Sequence, residues 1–184
     1  MLVIFGLVTY ATKGVSFGAI DPSIPKMIIP RLNGFPTIIL WAIAAIVIVW
    51  FIWNKTTFGK NLYAVGGNPE AASVSGISVF WVTMGAFILA GILYGFGSWL
   101  ECARMVGSGS AAYGQGWEMD AIAACVVGGV SFTGGIGKIS GVVVGVLIFT
   151  VLIYSLTILG IDTNLQFVFE GIIIITAVTL DCLK

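Results

Sequence analysis

The stretch FPTIILWAIAAIVIVWFIW, residues 35–53, contains nineteen residues and no charged side chain. A helix needs about 20 predominantly apolar residues to cross the hydrocarbon core of a bilayer, so this stretch predicts a membrane-spanning helix. Its tryptophans lie near enough to the two ends to serve partly as interfacial anchors. Three further apolar stretches of similar length predict spans at residues 79–100, 139–159 and 165–181.

Two other apolar stretches are too short to cross a bilayer as straight helices. Residues 1–12 have about half the required length, and we interpret them as a partial span, the end of a longer apolar segment. Residues 119–130 finish in Gly128-Gly129, which leaves two alternatives: a helix extended by its flanks, or a broken, re-entrant helix. The predicted fold class is therefore all-α, a polytopic transmembrane helical bundle with about five spans and one partial span, forming a single domain over residues 1–184.

The overall composition agrees with a membrane protein. Hydrophobic residues make up 59% of the chain and charged residues 9%, whereas soluble domains are about 45–50% apolar. Eight basic and eight acidic residues cancel, so no basic surface for nucleic acid is expected. Histidine is absent, and the three cysteines are widely spaced. These features exclude the usual zinc sites and catalysis by Ser-His or Cys-His pairs.

A polar stretch between the first two complete spans, GGNPEAASVSGI at residues 66–77, predicts a short helix outside the membrane. Asn68 is a favoured N-cap, and Pro69 fits the first helical position. Glu70 is favourable in the first turn, and Gly76 can close the other end in a left-handed conformation. So short a helix is marginal in water and needs a packing surface. Local signals leave two interpretations open: an ordinary loop helix, or a helix that contacts a partner.

Glycine residues at four-residue spacing mark two helix faces. Small residues at this spacing let the backbones of two helices approach closely. The glycines concerned are Gly91 and Gly95 in the second span, and Gly137, Gly141 and Gly145 leading into the third. We therefore predict that these positions pack against neighbouring helices.

The sequence SFTGGIGKIS at residues 131–140 is glycine-rich, as phosphate-binding loops are. It does not match the Walker A pattern, because Ile139 follows Gly137-Lys138 and Phe132 stands where the first glycine should be. We interpret this stretch as a tight turn between helices.

The sides of the membrane follow from counting the predicted spans. If residues 119–130 cross, the short helix, the turn at 131–138 and the C-terminus share one side. Four basic residues then lie on each side, so the positive-inside rule does not choose the cytoplasmic one. Glu170, near the start of the last span, is either a functional carboxylate or one that reaches the interface.

Two long motifs, TTFGKNLYAVGGNPEAASVSGI at residues 56–77 and WEMDAIAACVVGGVSFTGGIGKISGVVVG at residues 117–145, carry a family resemblance. They resemble the permeases of bacterial ABC importers for sugars of the ribose, xylose and galactose type. The resemblance runs over nearly the whole chain, and it is strongest to members that import galactose and methyl galactosides. Those permeases are longer, so the chain resembles a C-terminal portion of one.

The resemblance implies that residues 66–77 form a cytoplasmic coupling region against a separate ATP-binding subunit. The residues it assigns to this role are Gly66, Gly67, Asn68, Pro69, Glu70, Ala71, Ala72, Gly76 and Ile77. It also implies a second permease subunit, expected to be another copy of the same chain, and a periplasmic binding protein that delivers a monosaccharide. The expected location is the bacterial inner membrane, in contact with lipid. No catalytic residue, cofactor or metal is expected in this subunit, and no residue is assigned to the sugar.

The sequence leaves two other functional classes as alternatives. A secondary transporter or channel-like protein, not coupled to ATP, is the main alternative, but secondary transporters commonly carry ionisable residues at mid-membrane and the clear spans have none there. A membrane-embedded enzyme would need a nucleophile with its base, or a metal cluster, and neither is evident. Uptake that survives an uncoupler but fails on ATP depletion would favour the ABC importer.

Overall fold

The computed structural model describes residues 2–15, 23–28, 30–32, 35–105, 109, 113–114 and 116–182. The elements in chain order are helices α1 (Leu2–Thr12) and α2 (Ser23–Ile28), strands β1 (Arg31–Leu32) and β2 (Phe35–Pro36), and helices α3 (Ile38–Lys55), α4 (Thr57–Gly67), α5 (Pro69–Val74), α6 (Val79–Arg104), α7 (Trp117–Val127), α8 (Ile139–Ile158) and α9 (Thr163–Cys182). The strands have only two residues each. The predicted all-α class is confirmed.

Three helices of the described chain, α3, α6 and α8, are long and apolar enough to cross a membrane. Even α3, with 18 residues, rises about 27 Å. Many exposed side chains on these helices are large and apolar, among them Phe51, Phe87 and Ile148. Such a surface is unfavourable in water and suits lipid. The protein is therefore a multi-pass integral membrane protein, while the predicted total of about five spans stays a prediction.

The first span begins three residues later than the sequence predicted, at Ile38. The reason is the small antiparallel ladder before it, in which Phe35 pairs with Leu32. Thr37 then connects the ladder to the helix, because its hydroxyl donates to the carbonyl of Pro30 at 2.7 Å. This local hairpin takes the first three residues out of an apolar run that is otherwise suited to a helix.

The short apolar stretch forms α7, which has 11 residues and rises about 16 Å, roughly half the thickness of the hydrocarbon core. Gly116 precedes it in a left-handed conformation, with φ +94°. After Val127 the chain turns at Gly128 and Gly129, the second with φ +82°. Since both ends turn, the flanks do not extend the helix. That residues 119–130 cross the membrane stays a prediction.

The chain forms two compact units. The first consists of Met1–Ile48 and Met84–Gln115. In it, α3 contacts α6 through aromatic rings: the centroid of Trp41 lies 5.9 Å from that of Phe96 and 6.3 Å from that of Trp99, both edge-on. Such pairs contribute about 0.5–1.5 kcal/mol beyond the area they bury.

At the C-terminal end of α6, Arg104 donates from Nε to both carboxylate oxygens of Glu101, at 3.0 and 2.9 Å. Its Nη2 donates to the hydroxyl of Tyr113 at 3.1 Å. The Tyr113 hydroxyl also hydrogen bonds to the Glu101 carboxylate, and this contact raises the pKa of Tyr113. The cluster is exposed, so its ion pair contributes at most about 1 kcal/mol.

The second unit consists of Val49–Thr83 and Gly116–Lys184. Its core lies among α7, α8 and α9, where Ala123, Ala124 and Phe149 are buried. Ile153 of α8 and Ile173 of α9 pack against this cluster. Small side chains on α7 and a large ring on α8 fill the core, and this brings the two helices close together.

Candidate coupling site

Asn68 joins two helices. Its backbone N–H donates to the carbonyl of Ala64 at 3.1 Å and closes the C-terminal end of α4. Its side-chain oxygen accepts from the N–H of Ala71 at 3.0 Å and caps the N-terminal end of α5. Pro69 takes the first position of α5, as predicted. One residue therefore ends a helix and begins the next, which confirms the predicted N-cap.

The other end of α5 closes with the pair of backbone hydrogen bonds known as a Schellman motif. Gly76, with φ +81°, donates to the carbonyl of Ser73 at 3.0 Å. Ile77 donates to the carbonyl of Ala72, also at 3.0 Å. The left-handed conformation favours glycine at this position. The predicted role of Gly76 in ending the helix is confirmed.

The side chains of α5 divide into one that is buried and several that are exposed. Ala72 is only 4% exposed, whereas Val74 is 91% exposed. Glu70, Ala71 and Ser73 are exposed as well. The sequence assigned Ala72 to the surface that contacts a partner, and this is wrong for its side chain, which the chain itself covers. Ala72 anchors the helix, and Val74 is the apolar side chain that α5 presents outward.

The helix before this segment, α4, was not predicted from the sequence. Its N-cap is Thr56, whose hydroxyl oxygen accepts from the N–H of Gly59 at 3.2 Å and donates to the carbonyl of Ile52 at 2.6 Å. A Cβ at Gly59 would lie 2.1 Å from the carbonyl oxygen of Trp53, which only glycine avoids. The chain can therefore pass from α3 into α4 with a single residue between them.

The glycines at the end of α4 meet the glycine-rich turn at residues 131–138. A Cβ added at Gly66 would lie 2.7 Å from the backbone nitrogen of Gly135. One added at Gly134 would lie 2.6 Å from the carbonyl oxygen of Gly66. These distances are too short for real side chains, so the two backbones touch directly. The short helix and the turn are therefore neighbours, while the side of the membrane on which they lie stays a prediction.

Sequence reasoning missed one residue of this site, Tyr63 of α4. Its hydroxyl donates to the carbonyl of Gly137 at 2.7 Å. Tyr63 is half-buried, and the bond joins positions 74 residues apart. No signal near Tyr63 in the sequence indicated this partner. The Gly134-Gly135 pair was visible, but only as a feature of a turn.

The glycines that lead into α8 have different neighbours, depending on their position. A Cβ at Gly141 would lie 2.3 Å from the carbonyl oxygen of Gly128, and one at Gly145 would lie 2.2 Å from that of Ala124. Gly137 instead faces the side chain of Val130, at 3.3 Å. Gly141 and Gly145 thus lie against the backbone at the C-terminal end of α7.

The glycines of α6 have no such neighbour among the described residues. A Cβ at Gly91 or Gly95 would meet none of their atoms within 4 Å. Packing at these two positions stays a prediction.

Glu170 of α9 does not reach the surface, since it is only 6% exposed. Its carboxyl group is hydrogen bonded to that of Asp120 in the first turn of α7. Within the described ranges, no group of three acidic or cysteine side chains is placed to hold a metal ion.

Comparison with known proteins identifies the family. Residues 1–178 match the model described as "Branched-chain amino acid transport system / permease component". The chain belongs to this permease family. Members similar to it are transport components and not enzymes. No solved structure matches the chain.

Several sugar permeases are similar to this permease. The galactose/methyl galactoside import permease of Treponema pallidum is 56% identical over 100% of this chain and 36% of its own length. The protein of that name in Escherichia coli is 52% identical over 80% of this chain and 44% of its own length. The L-arabinose transport system permease of Escherichia coli is 36% identical over 100% of this chain and 56% of its own length. The chain therefore spans about half or less of these relatives.

Proposed function

We propose that the chain is part of the permease subunit of an ATP-driven importer for a monosaccharide, namely galactose, a methyl galactoside or a related sugar. The observation that carries the proposal is the identity of 56% to a galactose/methyl galactoside import permease, which extends over the whole of this chain. An identity this high over all the helices of this chain favours a shared substrate class. The proposed location is the bacterial inner membrane.

The structure of α5 supports contact with a partner protein. The helix is capped at both ends and held by the buried side chain of Ala72, so it is formed before any partner binds. Its exposed residues include Glu70, Ser73 and Ser75, which are unsuited to lipid, and Val74, which gains from burial. A pre-formed helix with polar residues around one apolar side chain fits a groove on another protein. We assign that groove to the ATP-binding subunit.

This assignment gives each protein of the importer a separate task. ATP would be hydrolysed in the separate subunit, and its closure would push on α5. Two permease subunits, two copies of one chain in our proposal, would line the sugar path and alternate between outward and inward openings. A periplasmic binding protein would deliver the sugar on the other face. The glycine contacts described above would then carry the motion into the helices.

The test is uptake of labelled galactose by cells that carry the complete importer. ATP depletion should abolish uptake, while an uncoupler that leaves ATP intact should not. Purified permease, ATP-binding subunit and sugar-binding protein should also show ATP hydrolysis that rises when the binding protein is loaded with sugar. Uptake that follows the proton gradient instead would overturn the proposal.

A secondary transporter is the second candidate, and one observation favours it. The carboxyl groups of Asp120 and Glu170 lie in contact inside the second unit, and acidic residues within membrane segments often belong to the proton relays of transporters. Under this alternative, Glu170→Gln would abolish uptake, and ATP depletion would act only by dissipating the gradient. The same experiment in ATP-depleted cells with an imposed proton gradient distinguishes the two.

A further inference from the structure

We infer that Tyr63 and Gly66 are positioning residues for coupling, because they clamp the segment at 66–77 to the glycine turn at 131–138. The inference rests on the proposed function and goes beyond it by naming the route through which motion of α5 enters the membrane helices. It depends on three contacts, all within the second unit.

The first contact is a backbone junction. Gly66 lies against Gly135, and Gly134 lies against the carbonyl of Gly66. A Cβ at Gly135 would lie 2.6 Å from the Cα of Gly67. Because no side chain separates the two segments, none can rotate to absorb a displacement, and closely packed backbones transmit strain. The end of α4 and the glycine turn should therefore move together.

The second contact fixes the position of the glycine turn along α4. Tyr63 lies one turn before Gly66 on α4, and its hydroxyl bonds to the carbonyl of Gly137. A neutral hydrogen bond of this kind contributes only modestly to stability, so its main effect is geometric. It ties the far end of the turn to α4, while the glycines tie the middle.

The third set of contacts links the glycine turn to helices α7 and α8. The turn directly connects the C-terminal end of α7 to α8, and its own ends are joined by a bond from the N–H of Ser131 to the carbonyl of Ile136 at 3.0 Å. Beyond it, Gly141 and Gly145 hold α8 against the backbone of α7. A shift of α5 would thus reach a tightly packed helix pair without crossing a flexible linker.

The experiment uses the assembled importer in lipid, with the ATP-binding subunit and a sugar-loaded binding protein. Gly66→Ala forces a methyl group into the backbone of Gly135, and Tyr63→Phe removes only the hydrogen bond. Gly171→Ala is the matched control, since a Cβ at this helical glycine meets no described atom within 4 Å. Three quantities are measured: stimulation of ATP hydrolysis by the loaded binding protein, sugar transported per ATP, and the melting temperature.

Gly66→Ala should lower stimulation and sugar per ATP on the order of five- to tenfold, and Tyr63→Phe by a smaller factor. The ATP-binding subunit should stay bound in both, because neither change touches the exposed residues of α5. Gly67→Ala, which has open space around its Cβ, should impair coupling less than Gly66→Ala. Gly171→Ala should match the wild type.

Normal coupling in both Gly66→Ala and Tyr63→Phe overturns the inference, and so does a loss that merely parallels a lower melting temperature. If Gly66→Ala does not assemble, Tyr63→Phe decides by itself: normal sugar per ATP then overturns the inference. These results differ from failure of the proposed function, in which the wild-type complex itself would show no stimulation by sugar-loaded binding protein.

Discussion

The glycines of α8 and those of α6 have the same spacing and different surroundings. A Cβ added at Gly145 would lie 2.2 Å from the carbonyl oxygen of Ala124 in α7. A Cβ added at Gly91 would meet no described atom within 4 Å. The pattern in the sequence marks a face on which helices can approach closely. It does not say whether the chain itself covers that face. The same contrast recurs within α5, between buried Ala72 and exposed Val74.

The largest effect is expected from a substitution at Gly145, the glycine of this comparison that lies against another helix. Gly145→Leu places a branched side chain where even a Cβ collides with backbone, so α7 and α8 must separate. We expect a loss of about 3 kcal/mol or more, seen as a much lower melting temperature in detergent or as loss of folded protein. Gly91→Leu is the matched variant and should lose much less stability, because a Cβ at Gly91 meets no described atom within 4 Å. Equal losses in the two variants would contradict the comparison.

The next prediction uses one substitution at two positions of α5. Ala72→Asp buries an unpaired carboxylate and should cost about 2–3 kcal/mol, lowering the melting temperature and the amount of protein in the membrane. Val74→Asp adds the same charge at an exposed site, so stability should be unchanged. It should instead weaken binding of the ATP-binding subunit, measured by co-purification.

The control for this pair is Val74→Ile, which keeps an apolar, β-branched side chain without a charge and should bind normally. Val74→Asp that retains both the ATP-binding subunit and full transport would show that α5 is an ordinary capped loop helix.

The smallest expected effect concerns the junction between α4 and α5. Asn68→Ala removes the side-chain acceptor for the N–H of Ala71 and should cost about 1 kcal/mol. The expected result is a slightly lower melting temperature and a moderate drop in transport. Asn68→Asp keeps an acceptor at this position and should restore both. If it does not, the cap is not what holds α5 in place.

Most of the helices could be predicted because hydropathy is a local property. The stretch predicted at 139–159 is helix α8, Ile139–Ile158, and the stretch predicted at 165–181 is helix α9, Thr163–Cys182. The caps of α5 were predictable for the same reason, since Asn68 and Gly76 act on residues within one turn.

Helix α4 was not predictable from such local signals. Its glycines lower the helix propensity by about 1 kcal/mol each, and contacts from other segments compensate. Those contacts include the bond from Tyr63 to the carbonyl of Gly137.

The sequence by itself determined that this chain is a helical membrane protein with a short capped helix between two spans, because apolar length and capping depend on neighbouring residues. Only the tertiary structure decided that Gly66 meets Gly135, that Gly145 has a backbone neighbour where Gly91 has none among the described residues, and that Ala72 is covered while Val74 is not. These facts depend on which faces of distant segments come together, and no local pattern of residues encodes that choice.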